Sequence, residues 1–338
     1  MSAPSLIVAY AEAQALLARL EERRRLSPVA FPLRTRMRIA ERHALARWDK
    51  APLHDSDIQV DGRGAVRTSD FDLSRGRQAV GAPIELDSIL TDAEALLRWL
   101  GLVSDAGNPA KHGWQRSLAD MLDAVRGWQA TIASLPASPP LLHGAHLAQL
   151  WRERAPIGRG DLVFSLLIGD RWGPGRWEGS AGGLIALGLE RSSEPWQRIK
   201  GEALERLWLG AIAAGAQGHL DLEIRLRSYA MRAGQFIRAR RRPGRLADML
   251  ALAMAHPRVT SSGIAKALGL TSAGAIKLLA IAAEAGLLIE RTGQSSYRSY
   301  AIPVAAPSDM PARPRRDPFA LLDGAFPWDD DTDPPLAW

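Results

Sequence analysis

The sequence predicts a mainly α-helical protein, with a multi-helix N-terminal and central region followed by a C-terminal winged helix-turn-helix that carries a small β-hairpin. Three observations predict it. Apolar residues recur at helical spacing through most of the first 242 residues, and Pro and Gly clusters punctuate them. Between Ser261 and Leu278 two short helical patterns meet at Gly269. Two extended stretches around a polar turn follow directly.

Residues 1–135 read as an N-terminal helical region. Ala13, Leu16, Leu17 and Leu20 form a stripe at helical spacing, the charged run Glu21-Glu22-Arg23-Arg24-Arg25 follows, and Ser27-Pro28 breaks the helix. A second helix is expected from Arg34 to Asp49. Residues 51–72 read as short extended pieces around a tight turn at Asp61-Gly62-Arg63-Gly64. Further helices are expected near 73–80, 91–102 and 115–134. Pro136, Pro139 and Pro140 mark a linker.

Residues 136–242 form a central helical region, interrupted at Gly173-Pro174-Gly175 and at Gly179-Ser180-Ala181-Gly182-Gly183. It closes with a long helix expected from His219 to Arg242, ending in the basic run Arg238-Ala239-Arg240-Arg241-Arg242. Pro243-Gly244 stops that helix and opens a third domain, residues 243–303, whose first helix is Leu246 to Ala255.

Within this third domain Ile264, Leu268, Leu270, Ala275 and Leu278 take the inward positions of two short helices. Ala265 is small where the second helix must approach. Gly269 stands where the turn needs positive φ, and Thr271 caps the second helix. Gly286 ends it. Leu287 to Arg291 and Tyr297 to Ile302 then read as strands around Thr292-Gly293-Gln294-Ser295-Ser296. After Pro303, residues 304–338 carry seven Asp against three Arg among many prolines, the composition of a disordered acidic tail. Phe319-Ala320-Leu321-Leu322 and Phe326-Pro327-Trp328 within it read either as short docking motifs or as parts of a solvated segment.

At 338 residues the chain has room for two or three domains. The absence of cysteine excludes disulfides and thiolate metal sites and suits a reducing compartment. No run of 18 apolar residues is present, and Met1-Ser2-Ala3-Pro4 offers no basic segment before a long apolar one, so a cytoplasmic protein with no membrane partner is expected. The net charge of +6 argues only weakly for nucleic acid. Lysine occurs at five positions alone, and the remaining 38 of 43 basic residues are arginine, a usage that coding composition produces as readily as a binding surface.

Signatures of catalysis are missing. There is no GxxxxGKS/T phosphate loop, no HExxH zinc motif and no GxSxG elbow, so no enzyme, cofactor or metal is expected. His143 and His146 lie three residues apart on an expected helix, a spacing that suits a metal but equally suits surface or capping roles. Glu178-Gly179-Ser180-Ala181-Gly182-Gly183 reads as a plain loop or as a phosphate nest. Trp151, Trp172, Trp177, Trp196 and Trp208 read as core residues, although Arg171-Trp172 and Arg176-Trp177 have the composition of base-stacking platforms.

The stretches from Glu41 to Ile58 and from Arg67 to Arg75, the tetrapeptide Pro156-Ile157-Gly158-Arg159 and residues 257–302 together resemble a family of uncharacterised bacterial proteins with a C-terminal helix-turn-helix DNA-binding domain. The resemblance runs from about residue 10 to residue 302 and implies DNA binding. The layout is similar, more remotely, to Fic proteins that end in a winged helix, which are nucleotidyl-transfer enzymes. Their active site needs the motif His-Pro-Phe-x-Asp/Glu-Gly-Asn-Gly-Arg, of which only Gly158-Arg159 matches here. Their inhibitory motif, expected near Ala44 to Lys50, is missing too, so this resemblance implies a catalytically inactive scaffold.

The expected function is therefore that of a DNA-binding transcriptional regulator, its partner double-stranded DNA, its helical part serving homodimerisation or partner binding. Thr271 caps the reading helix, while Ser272, Ala273 and Lys277 face base edges. Ser261, Ser262, Arg291, Gln294 and Arg298 hold phosphates. Residues 243–303 carry six Lys/Arg against three acids, which predicts modest affinity without dimerisation. The alternative is an inactive Fic-like scaffold or protein-interaction module.

Overall fold

The computed structural model describes residues 5–50, 53, 58–60, 66–68, 84–103, 117–154, 161–173, 182–191, 195–291 and 298–304. Among these, helices dominate and two small antiparallel sheets complete the fold.

Helix α1 (Leu6–Leu26) starts at Ser5, whose hydroxyl accepts from the Val8 amide, and buries Ala13, Leu17, Leu20 and Arg24. Helix α2 (Ala30–Trp48) begins ahead of the expected Arg34. Pro32 falls in its first turn, where a missing N–H leaves no intrahelical bond unmade. α2 is buried on nearly every side, with Leu33, Met37, Ala40, Ala44 and Leu45 in the core. Strands β1 (Ile58–Val60) and β2 (Val66–Thr68) pair antiparallel with Val60 opposite Val66, the short extended pieces the sequence suggested. The turn between them and the helix expected at 73–80 lie outside the described residues.

Helices α3 (Leu86–Thr91) and α4 (Ala93–Trp99) divide at Asp92, whose side chain caps the second by accepting from the Ala95 amide. Helix α5 (Leu118–Ala133) opens with a reciprocal Ser117–Asp120 capping box. The prolines after it lead straight into α6 (Pro140–Arg154), and the two helices pack together, with the Trp128 and Trp151 rings meeting edge to face at 5.1 Å. Helices α7 (Asp161–Asp170) and α8 (Leu184–Leu189) and a single 3-10 turn (Trp196–Arg198) precede the longest element, α9 (Gly201–Arg238).

The tryptophans behave as core residues. Trp128, Trp151, Trp196 and Trp208 are fully buried and Trp172 nearly so, while Trp177 lies outside the described residues. The long helix begins at Gly201 rather than His219 and ends at Arg238 rather than Arg242. One of its glycines admits neighbouring backbone: a Cβ at Gly215 would stand 2.5 Å from the Leu184 carbonyl oxygen.

The C-terminal elements are α10 (Leu246–Ala255), β3 (Val259–Thr260), α11 (Ser261–Leu268), α12 (Ser272–Glu284), β4 (Ile289–Glu290) and β5 (Ser299–Ala301). β5 lies between β3 and β4, antiparallel to both. β3 was not anticipated, because two residues before a helix cap give no periodicity to read. The two expected strands are shorter than read. Arg36 of α2 ties this part to the helical body: Nε donates to the Met254 carbonyl (2.6 Å) and Nη2 to those of Ala253 (3.2 Å) and His256 (2.9 Å). Tyr229 of α9 adds a bond from its hydroxyl to the Leu287 carbonyl (3.1 Å). One apolar core runs from Ala13 to Val304. No single helix among the described residues is long and apolar enough to cross a membrane. The acidic segment beyond Val304 lies outside the described residues.

Candidate nucleic-acid interface

The turn between α11 and α12 follows from two residues. Gly269 adopts φ 64° and ψ 39°, and its amide and that of Leu270 both donate to the Ala265 carbonyl. Thr271 then turns extended, and its hydroxyl accepts from the Gly274 amide at 3.1 Å. Thr260 does the same for α11 at Gly263, and its hydroxyl also meets that of Ser262. The outcome is two helices whose axes change direction by 114° across a three-residue break. Ile264 and Ala275 are fully buried between them, while Leu268, Leu270 and Leu278 are partly buried against the same core.

With those residues turned inward, α12 presents one open strip. Thr271, Ser272, Ala273 and Lys277, the residues read from the sequence as the cap and the base-facing positions, are exposed on its first turns. Ile276 joins them at 56% exposure and was missed. The spacing 272, 273, 276, 277 puts all four on one side of a helix, so the signal existed. An exposed isoleucine in an otherwise ordinary apolar pattern is simply hard to tell from a core residue.

The flanking residues are mixed. Ser261 is half-buried and Ser262 exposed, both at the start of α11. The Arg291 amide donates to the Ser299 carbonyl and prolongs the hairpin, leaving its side chain exposed. Arg298 is exposed and lies 3.6 Å from Glu290 across the hairpin, a surface pair that restrains it little. Arg245 pairs with Asp248 and donates to the Leu268 carbonyl at the end of α11. Gln294 lies outside the described residues, as does Pro156-Ile157-Gly158-Arg159.

The two imidazoles on α6 have separate partners. His146 Nε2 lies 2.7 Å from Glu205 Oε1, while His143 Nδ1 meets the Ser138 hydroxyl and its ring packs on Trp172. Burial, then the neighbouring His146, holds the His143 imidazole below its usual value. No group of three metal-ligating side chains occurs among the described residues.

A buried polar cluster at the centre of the helical body was illegible in sequence, because its members come from three distant helices. Glu41 of α2 accepts from His219 Nε2 of α9 at 3.1 Å, and its other oxygen accepts from the Gly183 amide at 3.3 Å. Asp170, the last residue of α7, is fully buried close by. Burial first, and then the Glu41 carboxylate, push its carboxyl well above the usual carboxylate range, with Arg171 and the Ile185 amide opposing. Neither the 0% exposure of Asp170 nor that of His219 leaves room for a ligand, so the cluster bears on stability rather than binding. Compared with known proteins, the chain matches no protein-family model and no curated protein sequence.

Proposed function

We propose that residues 243–303 form a winged helix-turn-helix that binds double-stranded DNA, and that the chain is a transcriptional regulator. The observation that carries the reading is the open strip Ser272-Ala273-Ile276-Lys277 on α12, held at 114° to α11 by the Gly269 turn. Helix pairs at such angles with a glycine turn are the ones that place their second helix in a major groove. Lys277 would bond a guanine edge or a phosphate, Ser272 a base edge, and Ala273 and Ile276 would meet thymine methyl groups. The β4–β5 hairpin would bring Arg291, Arg298 and Gln294 to the adjacent backbone, with Ser261 and Ser262 contacting phosphate at the start of α11. With Arg245 and Arg298 each facing an acid, the charge available is modest. A cytoplasmic homodimer reading two half-sites is the assembly that fits it.

The test is binding of the full chain to a sheared genomic DNA pool, titrated across salt and sequenced. A few loci should survive physiological salt. Lys277→Ala should cost about 1–3 kcal/mol at those loci. Arg298→Ala should weaken all sequences alike and flatten the log K against log salt slope by about 0.9. Wild-type binding by both variants, or uniform salt-labile retention, would overturn the reading.

A further inference from the structure

The end of α9 carries a dense run of arginine. From Ile224 to Ala247 there are eight arginines and no acidic residue. Arg227 and Arg245 are paired to Glu223 and Asp248, whereas Arg232, Arg238, Arg240, Arg241 and Arg242 are exposed to solvent. Apolar surface lies among them: Met231 is 59% exposed, and the Arg240 guanidinium stacks on the Phe236 ring at 4.6 Å. A cationic face with apolar and aromatic edges is complementary to an acidic segment that carries aromatic side chains.

The chain contains such a segment. Residues 317–338 hold six Asp, no Lys or Arg, and Phe319, Phe326, Trp328 and Trp338. They also begin from the right place. Tyr229 of α9 bonds to Leu287, Ile289 two residues later pairs with Ala301 of β5, and Val304 follows three residues after that. Twelve intervening residues can reach at most about 40 Å. Along α9, Arg238 lies only about 14 Å beyond Tyr229. Tethering at that distance gives the segment an effective concentration in the millimolar range, enough for several individually weak ion pairs to hold it.

We infer that residues 317–338 dock in cis on the exposed arginines at the end of α9. Asp329, Asp330, Asp331 and Asp333 face Arg238 to Arg242, and the aromatic side chains cover Met231. Any other polyanion reaching this face must displace the segment first. The inference does not rest on the duplex reading, which uses none of these arginines.

Because the chain has no cysteine, Ala325→Cys gives a unique site for a fluorescent label in the full-length protein. Time-resolved anisotropy at low ionic strength should show the label tumbling with the whole molecule, independent of protein concentration. Raising salt to about 1 M, where the screening length falls to about 3 Å, should abolish that slow component. The combined Arg238→Gln, Arg240→Gln, Arg241→Gln and Arg242→Gln variant should lose it at low salt with an unchanged circular dichroism spectrum. Neutralising the four aspartates to Asn should do the same without altering α9. Fast local rotation at low salt, or a slow component that survives both sets of substitutions, would overturn the proposal. A slow component that grows with protein concentration would replace it with docking on a second copy.

Discussion

Asp170 is the residue whose environment most constrains the chemistry of the core. Its carboxyl is fully buried and held well above the usual range, first by burial and then by Glu41. The native state therefore keeps a proton that the unfolded chain releases above about pH 4. Stability is accordingly greatest below that point, declines as pH rises toward the folded-state value, and is constant beyond it. Asp170→Asn keeps the shape and removes the titration. We expect it to raise the melting temperature above about pH 4, where the unfolded carboxyl ionises, and to flatten the dependence on pH above that point. Parallel melting curves for variant and wild type across that range would refute this account. No property of the residues around position 170 signals the effect, because the burial that mainly raises it, and the Glu41 charge that adds to it, exist only once the helices have packed.

At the scale of elements, two glycines separate local from tertiary requirements. Gly269 has φ 64° with open space around it, so its requirement is purely conformational. Gly269→Val places a β-branched side chain in the left-handed region and should cost about 1–2 kcal/mol, read as a lower urea midpoint with an unchanged slope. Gly188 is the opposite case. A Cβ there would stand 1.8 Å from the Ala211 carbonyl oxygen, where α8 crosses α9, and backbone cannot yield as a side-chain tip can. Gly188→Ala should cost at least about 1–3 kcal/mol by the same measurement. If it proves harmless, the α8–α9 crossing is looser than described. This difference explains what was legible. The turn at Gly269, the Thr271 cap and the Leu246–Ala255 helix all follow from local rules. The start of α9 was misjudged in part because Gly215 serves a packing need, the close approach of the Leu184 carbonyl, that no local rule reveals.

At the scale of the whole molecule, the C-terminal part is bound to the helical body by directed bonds as well as by apolar contact. Arg36 is 9% exposed and donates to three carbonyls at the end of α10, where unpaired helix carbonyls attract a cation. Arg36→Ala leaves those carbonyls buried without the partner and should cost about 2–3 kcal/mol. Hydrogen exchange should then show α10 to α12 opening ahead of the body, whereas exchange unchanged in those helices would mean that Tyr229 and the apolar contacts suffice alone. Arg36→Lys should rescue only partly, since an ammonium lacks the planar fork that reaches three acceptors.

By itself the sequence determined the helical character of the chain, the Gly269 turn and Thr271 cap, the inward positions of α11 and α12, and most of the strip proposed to face DNA. These depend on residues within a few positions of one another, where backbone preference and periodicity act directly. The tertiary structure alone decided the length of α9, the Arg36 joint, the exposure of Ile276 and the buried meeting of Glu41, Asp170 and His219. Each of those arises between residues far apart in the chain, and burial, which sets their energies, exists only once the helices have packed.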